Sequence, residues 1–503
     1  MVTVILYLPD GAVRISRASP GTRLSELLPP TELDLPCGGA GRCGKCCILA
    51  QGALSLPDTA ELSLLGSSFS EGYRLACRTR LLGDAAITLQ NHGNTQPVIQ
   101  ECGAMPPFPL DPLFTRYGAS VDIGTTTLAA RLYDSCGNLL SHSSAPNPQR
   151  AWGGDVITRI EKSLSGGQAP LAACARDAVN RLLRTMAEQA GIPSESIETV
   201  VLTGNTTMLY LLTAKNVACL SRAPFVADEL FGRDALPGEL LLPSVPHARL
   251  VFPRCMSAFV GADITTAVLA SGICEGSGNT LLADIGTNGE LALWDGKLLR
   301  CCSTAAGPVF EGAEISQGMQ GRPGAIDHVV RKQDFLACHV IGDGSPLGIC
   351  GSGVIDAVAA LCDLEIIDES GYMEQDPCPL TPEVALTAKD IRMVQLAKSA
   401  ICAGIRTLLD VSGLRCGDLD RLAVAGGFGS YLNLHSAARI GLFPAELESR
   451  AVVLGNAALA GASMILLNRD LLARSVVLAD QSETVDLTTS RVFTEHYIDC
   501  MEF

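Results

Sequence analysis

Four cysteines, Cys37, Cys43, Cys46 and Cys77, stand apart from the rest by spacing: five residues separate the first two, two the next pair, and thirty the last. Three thiols therefore share one loop and a fourth arrives from a distance. Thiolates in that plan ligate a [2Fe–2S] cluster, although four residues is the commoner first gap. Gly38, Gly39, Gly41 and Gly44 fill the loop. Such a run lets the backbone wrap closely and aim N–H groups at sulfide and thiolate, which stabilises the more negative, reduced state. A structural zinc site is the alternative, but zinc ribbons pair two Cys-x-x-Cys knuckles and this segment has one. Cys47 competes with Cys46 as a ligand. Adjacent thiols on one loop rarely both reach one metal, so Cys47 reads as a spare or buried thiol. The chemistry expected here is transfer of one electron.

A second chemistry lies in two similar segments, VDIGTTT ending at Thr127 and DIGTNGE running from Asp284 to Glu290. Each follows an apolar strand start, where a tight turn offers backbone N–H groups and hydroxyls to an anion. Gly124 and Gly286 supply the permissive backbone; Thr125, Thr126, Thr127, Thr287 and Asn288 add donors. Paired turns of this kind grip a polyphosphate from both sides. Asp122 and Asp284 repel phosphate, so they are assigned to Mg2+ or its water shell, which makes a metal–nucleotide site. VAGGFGS, with Gly426, Gly427 and Gly429, follows another apolar strand and suits close approach of an adenosine. Glu290 is a candidate for orienting the attacking water and Asn205 for lining the cleft, with Thr206 beside it. Asp155 reads instead as a helix cap. Cys301, Cys302 and Cys350 read as small buried hydrophobes, and the histidines show no paired ligand spacing.

The elements that must hold these residues follow from pattern. VTVILYLP, an Asp10-Gly11 turn, AVRISRA and then a helix in TRLSELL predict the opening of a β-grasp domain, closed by a strand at Ala85–Leu89. Pro97, Pro106, Pro107, Pro109 and Pro112 mark a semi-rigid linker. Beyond it, SVDIGTTTLAARLYDSCGNLLS resembles LADIGTNGELALWDGKLLRCCS, so two related lobes are expected. Helices over Leu171–Ala190 and Lys389–Leu409 place a sheet edged by helices in each lobe. The division predicted is 1–93 for a ferredoxin domain, 94–116 for a linker, and 117–276 and 277–503 for the lobes. The fold class is thus multidomain α/β and α+β. GICGSG and LGNAALAGA supply small-residue helix starts for close packing.

The chain has 503 residues, 47% hydrophobic and 18% charged, and a formal charge of −16. That length exceeds one core, and that charge disfavours nucleic acid, which is bound through Lys and Arg. No basic segment with a long apolar run opens the chain, and the apolar stretches Met256–Cys274 and Leu454–Leu467 are interrupted. A cytoplasmic protein with no membrane partner is expected, its 20 cysteines reduced or ligating.

CGGAGRCGKC with Cys77, VDIGTTT, TGNTTM, DIGTNGE, AAGPVFEGA, GICGSGVIDA and AVAGGFGSYLN, taken in this order, resemble the reductive activators of corrinoid proteins. That family joins a 2Fe-2S ferredoxin domain to an ATPase of the acetate kinase, sugar kinase, Hsp70 and actin superfamily. The resemblance implies an actin-like two-lobed ATPase and reduction of cobalt(II) to cobalt(I) on a corrinoid protein of a methyltransferase system. It also implies electrons from an external low-potential donor. A homodimer stays open, because the segment that longer members carry between ferredoxin and ATPase is replaced here by a short linker. The alternatives are an activator of another low-potential metalloenzyme, a small-molecule kinase with a redox-sensing domain, and a nucleotide-binding redox sensor.

Overall fold

The computed structural model describes the chain apart from residues 9–11, 29–32, 34, 36, 42–43, 90–104, 237, 333–334 and 428–430. It forms two compact units, residues 1–95 with 147–175, and residues 96–146 with 176–503.

In the first unit, strands β1 (Val2–Tyr7), β2 (Val13–Ala18), β3 (Cys47–Leu54), β4 (Tyr73–Leu75) and β5 (Leu81–Thr88) build one sheet in the order β2-β1-β5-β3-β4. Alternation puts Val4 and Leu6 of β1 and Ile87 of β5 on one buried face with Ile48 and Leu75. Helix α1 (Thr59–Leu65) starts at Asp58, whose carboxylate accepts from Glu61 N at 2.8 Å. The helix expected in TRLSELL closes only as a 3-10 turn at Leu24–Glu26. Its backbone donors are committed elsewhere: Leu24 N bonds to Thr79 O at 3.0 Å and Ser25 N to Ala76 O at 3.0 Å, beside Cys77.

The second part of this unit begins at Asn147. Asp155 caps α2 (Val156–Lys162) by accepting from Thr158 N at 2.8 Å, the capping role read from sequence, and a wide turn leads into α3 (Gln168–Ala190). Arg159 is fully buried and donates to Gly153 O at 2.9 Å. The segment covers the glycine-rich loop so closely that a Cβ on Gly38 would lie 2.8 Å from Thr158 Cγ2 and 2.9 Å from Trp152 O.

The second unit holds the duplication. Strands β6 (Tyr117–Ile123), β7 (Thr127–Asp134), β8 (Leu139–Pro146), β9 (Ile197–Gly204), β10 (Phe231–Asp234) and β11 (Arg249–Arg254) form one sheet ordered β10-β11-β9-β6-β7-β8, with α4 (Thr206–Thr213) and α5 (Ala262–Ser271). The other strands begin with β12 (Asn279–Ile285), β13 (Gly289–Asp295) and β14 (Leu299–Thr304). Then come β15 (Ala325–Lys332), β16 (Phe335–Val340) and β17 (Gly348–Ile349), a three-stranded sheet, and the pair β18 (Cys378–Pro379) and β19 (Ala385–Leu386). With β20 (Arg421–Ala425), β21 (Ala451–Gly455) and β22 (Glu483–Thr484), the main sheet runs β21-β20-β12-β13-β14-β22.

The two main sheets share one plan. An antiparallel meander, β6-β7-β8 or β12-β13-β14, is followed by a parallel strand, β9 or β20, and a second, β11 or β21. In the meander of the first lobe, β8 ends with Pro146 paired to Thr127. The inner parallel strands are buried on both faces, which is why VVL in β9 and LAV in β20 read as continuous apolar runs. The remaining helices are α6 (Gly351–Asp363), α7 (Ala388–Val411), α8 (Leu434–Arg439), α9 (Ala457–Leu467), α10 (Asp470–Gln481) and α11 (Arg491–Asp499). Small residues let α9 reach α5: a Cβ on Gly461 would lie 1.8 Å from Thr266 O. The two apolar stretches of the sequence become α5 and α9, and no helix among the described residues is long and apolar enough to cross a membrane.

Candidate functional site: a carboxylate-lined cleft and a cysteine loop

Both Asp-Ile-Gly-Thr segments are the hairpin turns of their lobes. The first joins β6 to β7, the second β12 to β13, and both open on one cleft with a cavity volume of about 360 Å³. In the first turn a Cβ on Gly124 would lie 2.5 Å from Thr127 O, so only glycine closes it. The parallel strands end beside these turns through a matched pair of glycines. Gly204, at φ +154°, has Ile123 O at 2.8 Å from its Cβ position, and Gly426, at φ +116°, has Ile285 O at 2.2 Å. Any side chain at either place pushes the strand end away from the turn that it completes.

The cleft brings together Asp122, Gly124, Thr125, Thr126, Thr127, Asn205, Asp284, Gly286, Thr287, Asn288, Glu290, Gly426 and Gly427. Gly429 lies outside the described residues. Asn205 caps α4, accepting from Met208 N at 2.9 Å, and donates to Thr125 Oγ1 at 3.1 Å. Thr206 turns away and donates to Ser257 O at 2.7 Å.

Sequence reasoning missed five contributors. Asp263, at the start of α5, is the residue that interrupts the apolar stretch Met256–Cys274. Its place in the cleft depends on Gly261, where a Cβ would meet Asn205 Cα at 2.4 Å. Asn456 caps α9 and donates to Asp122 Oδ2 at 2.9 Å. Glu311 accepts from the Thr126 hydroxyl and, at 2.9 Å, from the Thr287 hydroxyl. On the small sheet, Asp327 Oδ1 and His339 Nδ1 are 2.5 Å apart. An acidic residue breaking an apolar helix start was the available signal for Asp263, and Asn456 and Glu311 lie in the motifs LGNAALAGA and AAGPVFEGA, which do not say what either side chain faces.

Six carboxylates line this cleft, and no lysine or arginine does so among the described residues. Their electrostatics reflect it. Burial, opposed by the Asn456 amide, pushes Asp122 up to about 6. Burial and the neighbouring Asp122 push Asp284 up to about 7. Asp263 is raised well above the usual carboxylate range by burial and then by Asp284 and Asp122, and Glu290 by burial and then by Asp263 and Asp284. Such a cluster binds protons tightly or accepts a multivalent cation in their place.

The cysteine loop belongs to the first unit. Cys37, Cys46 and Cys77 are all buried, and Cys46 Sγ lies 3.2 Å from Cys77 Sγ. That contact lowers the Cys77 thiol, with Cys37 opposing and Arg78 assisting. Cys43 lies outside the described residues. Gly38, Gly39, Gly41 and Gly44 all have φ between +60° and +80°, a backbone that wraps the thiols and admits few other residues. Cys47 begins β3, and burial and then Glu61 push its thiol up. Cys301 and Cys302 are fully buried in β14, whereas Cys350, also buried, borders the cleft at the start of α6.

Comparison with known proteins gives consistent matches. The family model for the C-terminal, ASKHA domain of RACo matches residues 278–503, and the model for the RACo middle region matches residues 117–275. The corrinoid activation enzyme RamQ of Eubacterium limosum is 33% identical over 417 residues, covering 76% of this chain and 69% of that protein. The [Co(II) methylated amine-specific corrinoid protein] reductase of Methanosarcina barkeri is 26% identical over 415 residues, covering 76% of each. The solved structure of a reductive activator for corrinoid, iron-sulfur protein superposes with a TM-score of 0.74 at 26% identity, covering 100% of this chain and 98% of that one.

Proposed function

The chain belongs to the family of corrinoid-activating reductases, and from that premise we propose that it uses ATP to drive one electron onto the cobalt(II) of a partner corrinoid protein, restoring cobalt(I) for methyl transfer. The observation that carries the reading is the cleft: two hydroxyl-rich turns, a glycine-ended strand and six carboxylates converge without a lysine or arginine among its described lining residues. Phosphates entering such a site need a divalent cation to offset the acids, and the acids need that cation to shed their protons.

The residues present fit the groups implied. Thr125, Thr126, Thr127, Thr287 and Asn288, with the turns at Gly124 and Gly286, would receive the phosphates of ATP. Gly426, Gly427 and Gly429 would accept the adenosine, and Asp122 and Asp284 would hold the water shell of Mg2+. A divalent cation supplies charge neutralisation there. Glu290, which accepts from the Asn288 amide at 3.2 Å, suits a hydrogen-bonding role better than that of a base, since burial and then Asp263 and Asp284 favour its neutral form. In the first unit the close Cys46 and Cys77 thiols and the left-handed glycine loop fit a cluster on Cys37, Cys43, Cys46 and Cys77. A [2Fe–2S] centre supplies one electron at a time.

The module boundaries proposed are 1–93 for the ferredoxin part, 94–116 for the linker, and 117–276 and 277–503 for the ATPase lobes. The reaction also calls for an external low-potential donor and a reducing compartment such as the cytoplasm. An uphill electron costs about 1.4 kcal/mol for each ~59 mV, so nucleotide must alter the conformation or ligation around the acceptor.

The test mixes anaerobic, cluster-loaded protein with a cobalt(II) corrinoid protein and a chemical donor, and follows cobalt(I) absorbance with and without MgATP. Cobalt(I) should accumulate only with MgATP. Equal accumulation without nucleotide would remove the ATP-driven reading.

A further inference from the structure

AAGPVFEGA is one of the motifs that carry the family resemblance, yet the reading of the cleft gives its acidic residue no task. The structure does. Glu311 ends a short 3-10 turn, Pro308–Glu311, and its Oε2 accepts hydrogen bonds from Thr126 of the first phosphate turn and, at 2.9 Å, from Thr287 of the second. One carboxylate oxygen thus bridges the two lobes' turns. Its other oxygen lies over the second turn, 3.8 Å from where a Cβ on Gly286 would be.

The seat is fixed by close backbone contacts. A Cβ on Gly351 would fall 1.8 Å from Phe310 O, one on Gly312 2.2 Å from Met319 O, and one on Gly318 2.2 Å from Gly312 O. Gly312 itself is at φ +76° and ends the turn, with its N–H on Val309 O at 3.0 Å. Three backbone contacts without room for a methyl group hold Glu311 in place, as a group that must keep one position requires.

Resting on the nucleotide reading of this cleft, we infer that Glu311 is the catalytic residue that orients and deprotonates the water attacking the terminal phosphate of ATP. Glu311 accepts from the hydroxyls of both turns. When ATP enters, Thr126 and Thr287 turn to phosphate oxygens, and the released carboxylate remains at the junction of the turns. There it accepts a hydrogen bond from water. The water oxygen forms the new bond to phosphorus, the bond from phosphorus to the ADP oxygen breaks, and the water proton passes to Glu311 and then to solvent. ADP and inorganic phosphate leave. The two hydroxyl bonds also make Glu311 a latch: the turns are tied together through it until phosphate replaces it.

The experiment compares parent, Glu311→Gln and Glu311→Asp in the full chain, measuring MgATP affinity by calorimetry and phosphate release separately. The amide keeps an acceptor oxygen for both threonines, so Glu311→Gln should fold and bind MgATP within about threefold of the parent. Its turnover should fall 100-fold or more, the range for loss of a general base. Glu311→Asp keeps the charge but withdraws it by one methylene, and should lie between the two. Tight binding with parent-like phosphate release in Glu311→Gln would overturn the role of Glu311 and leave the nucleotide site standing. Failure of the parent itself to bind MgATP would overturn both.

Discussion

Neutralising Asp284 should make the nucleotide-free lobes more stable at high pH while removing their response to magnesium. Asp284 titrates at about 7 instead of the ordinary 3.8, because burial and the nearby Asp122 disfavour its charge. A carboxyl that holds its proton more tightly in the folded chain favours folding most fully below the unfolded value, and that contribution is lost as pH rises through about 7. At about 1.4 kcal/mol per pH unit the ionised group costs the fold at most about 4 kcal/mol; water in the cleft screens part of this, leaving about 2–3 kcal/mol. Asp284→Asn removes the charge at nearly constant volume. Urea unfolding of EDTA-treated protein, followed through Trp294 in a Trp152→Phe background, reads the second unit alone, since these are the two tryptophans. Parent stability should decline between pH 5.5 and 8.5, and the variant's less steeply, since Asp122, Asp263 and Glu290 remain. The two should converge at the acid end. Added MgATP should restore the parent at pH 8.5 and leave the variant unchanged. A variant no more stable than the parent at pH 8.5 would refute the account of the carboxylates as uncompensated charge.

Other outcomes follow from particular contacts. Cys46→Ser should abolish the visible absorbance of the cluster while MgATP affinity stays within twofold, because the thiol and the turns belong to different units; loss of both would end the modular reading. Gly461→Ala should cost more than the ~1–3 kcal/mol of ordinary overpacking, since its methyl would meet the Thr266 backbone, and unfolding of the lobes would show it. Gly38→Ala should lower cluster occupancy through both its φ of +60° and the approach of Trp152 O, whereas unchanged iron content would show that the loop yields more than its geometry suggests.

The duplication and the helices α3 and α7 were legible because each rests on a local signal, a repeated turn or a 3.6-residue period. The cysteine spacing was legible for the same reason. TRLSELL misled because its helical pattern loses to hydrogen bonds with the backbone near Cys77, partners some fifty residues away in sequence. Asp263, Asn456 and Glu311 were hidden by a related cause. Their meaning lies in the turn that each faces, and that proximity is created by strand order and by glycines such as Gly261. The perturbed titration of Asp122 and Asp284 was likewise invisible, since it arises from burial and from each other's fields.

The pairing of Pro146 with Thr127 has a consequence for how the protein keeps its two activities in step. Asn147 follows Pro146 directly and begins the segment that covers the cysteine loop, so the strand bonded beside the first Asp-Ile-Gly-Thr turn passes into that cover without an intervening residue. Had the ATPase and the electron carrier been separate proteins, their cooperation would vary with how often they met. Joined in this way, each finds the other at a fixed effective concentration, on the order of millimolar for short connections, whatever the abundance of the chain in the cell. Dilution, which uncouples two-component systems, should therefore leave the ratio of ATP spent to electrons delivered unchanged until the corrinoid partner itself becomes scarce.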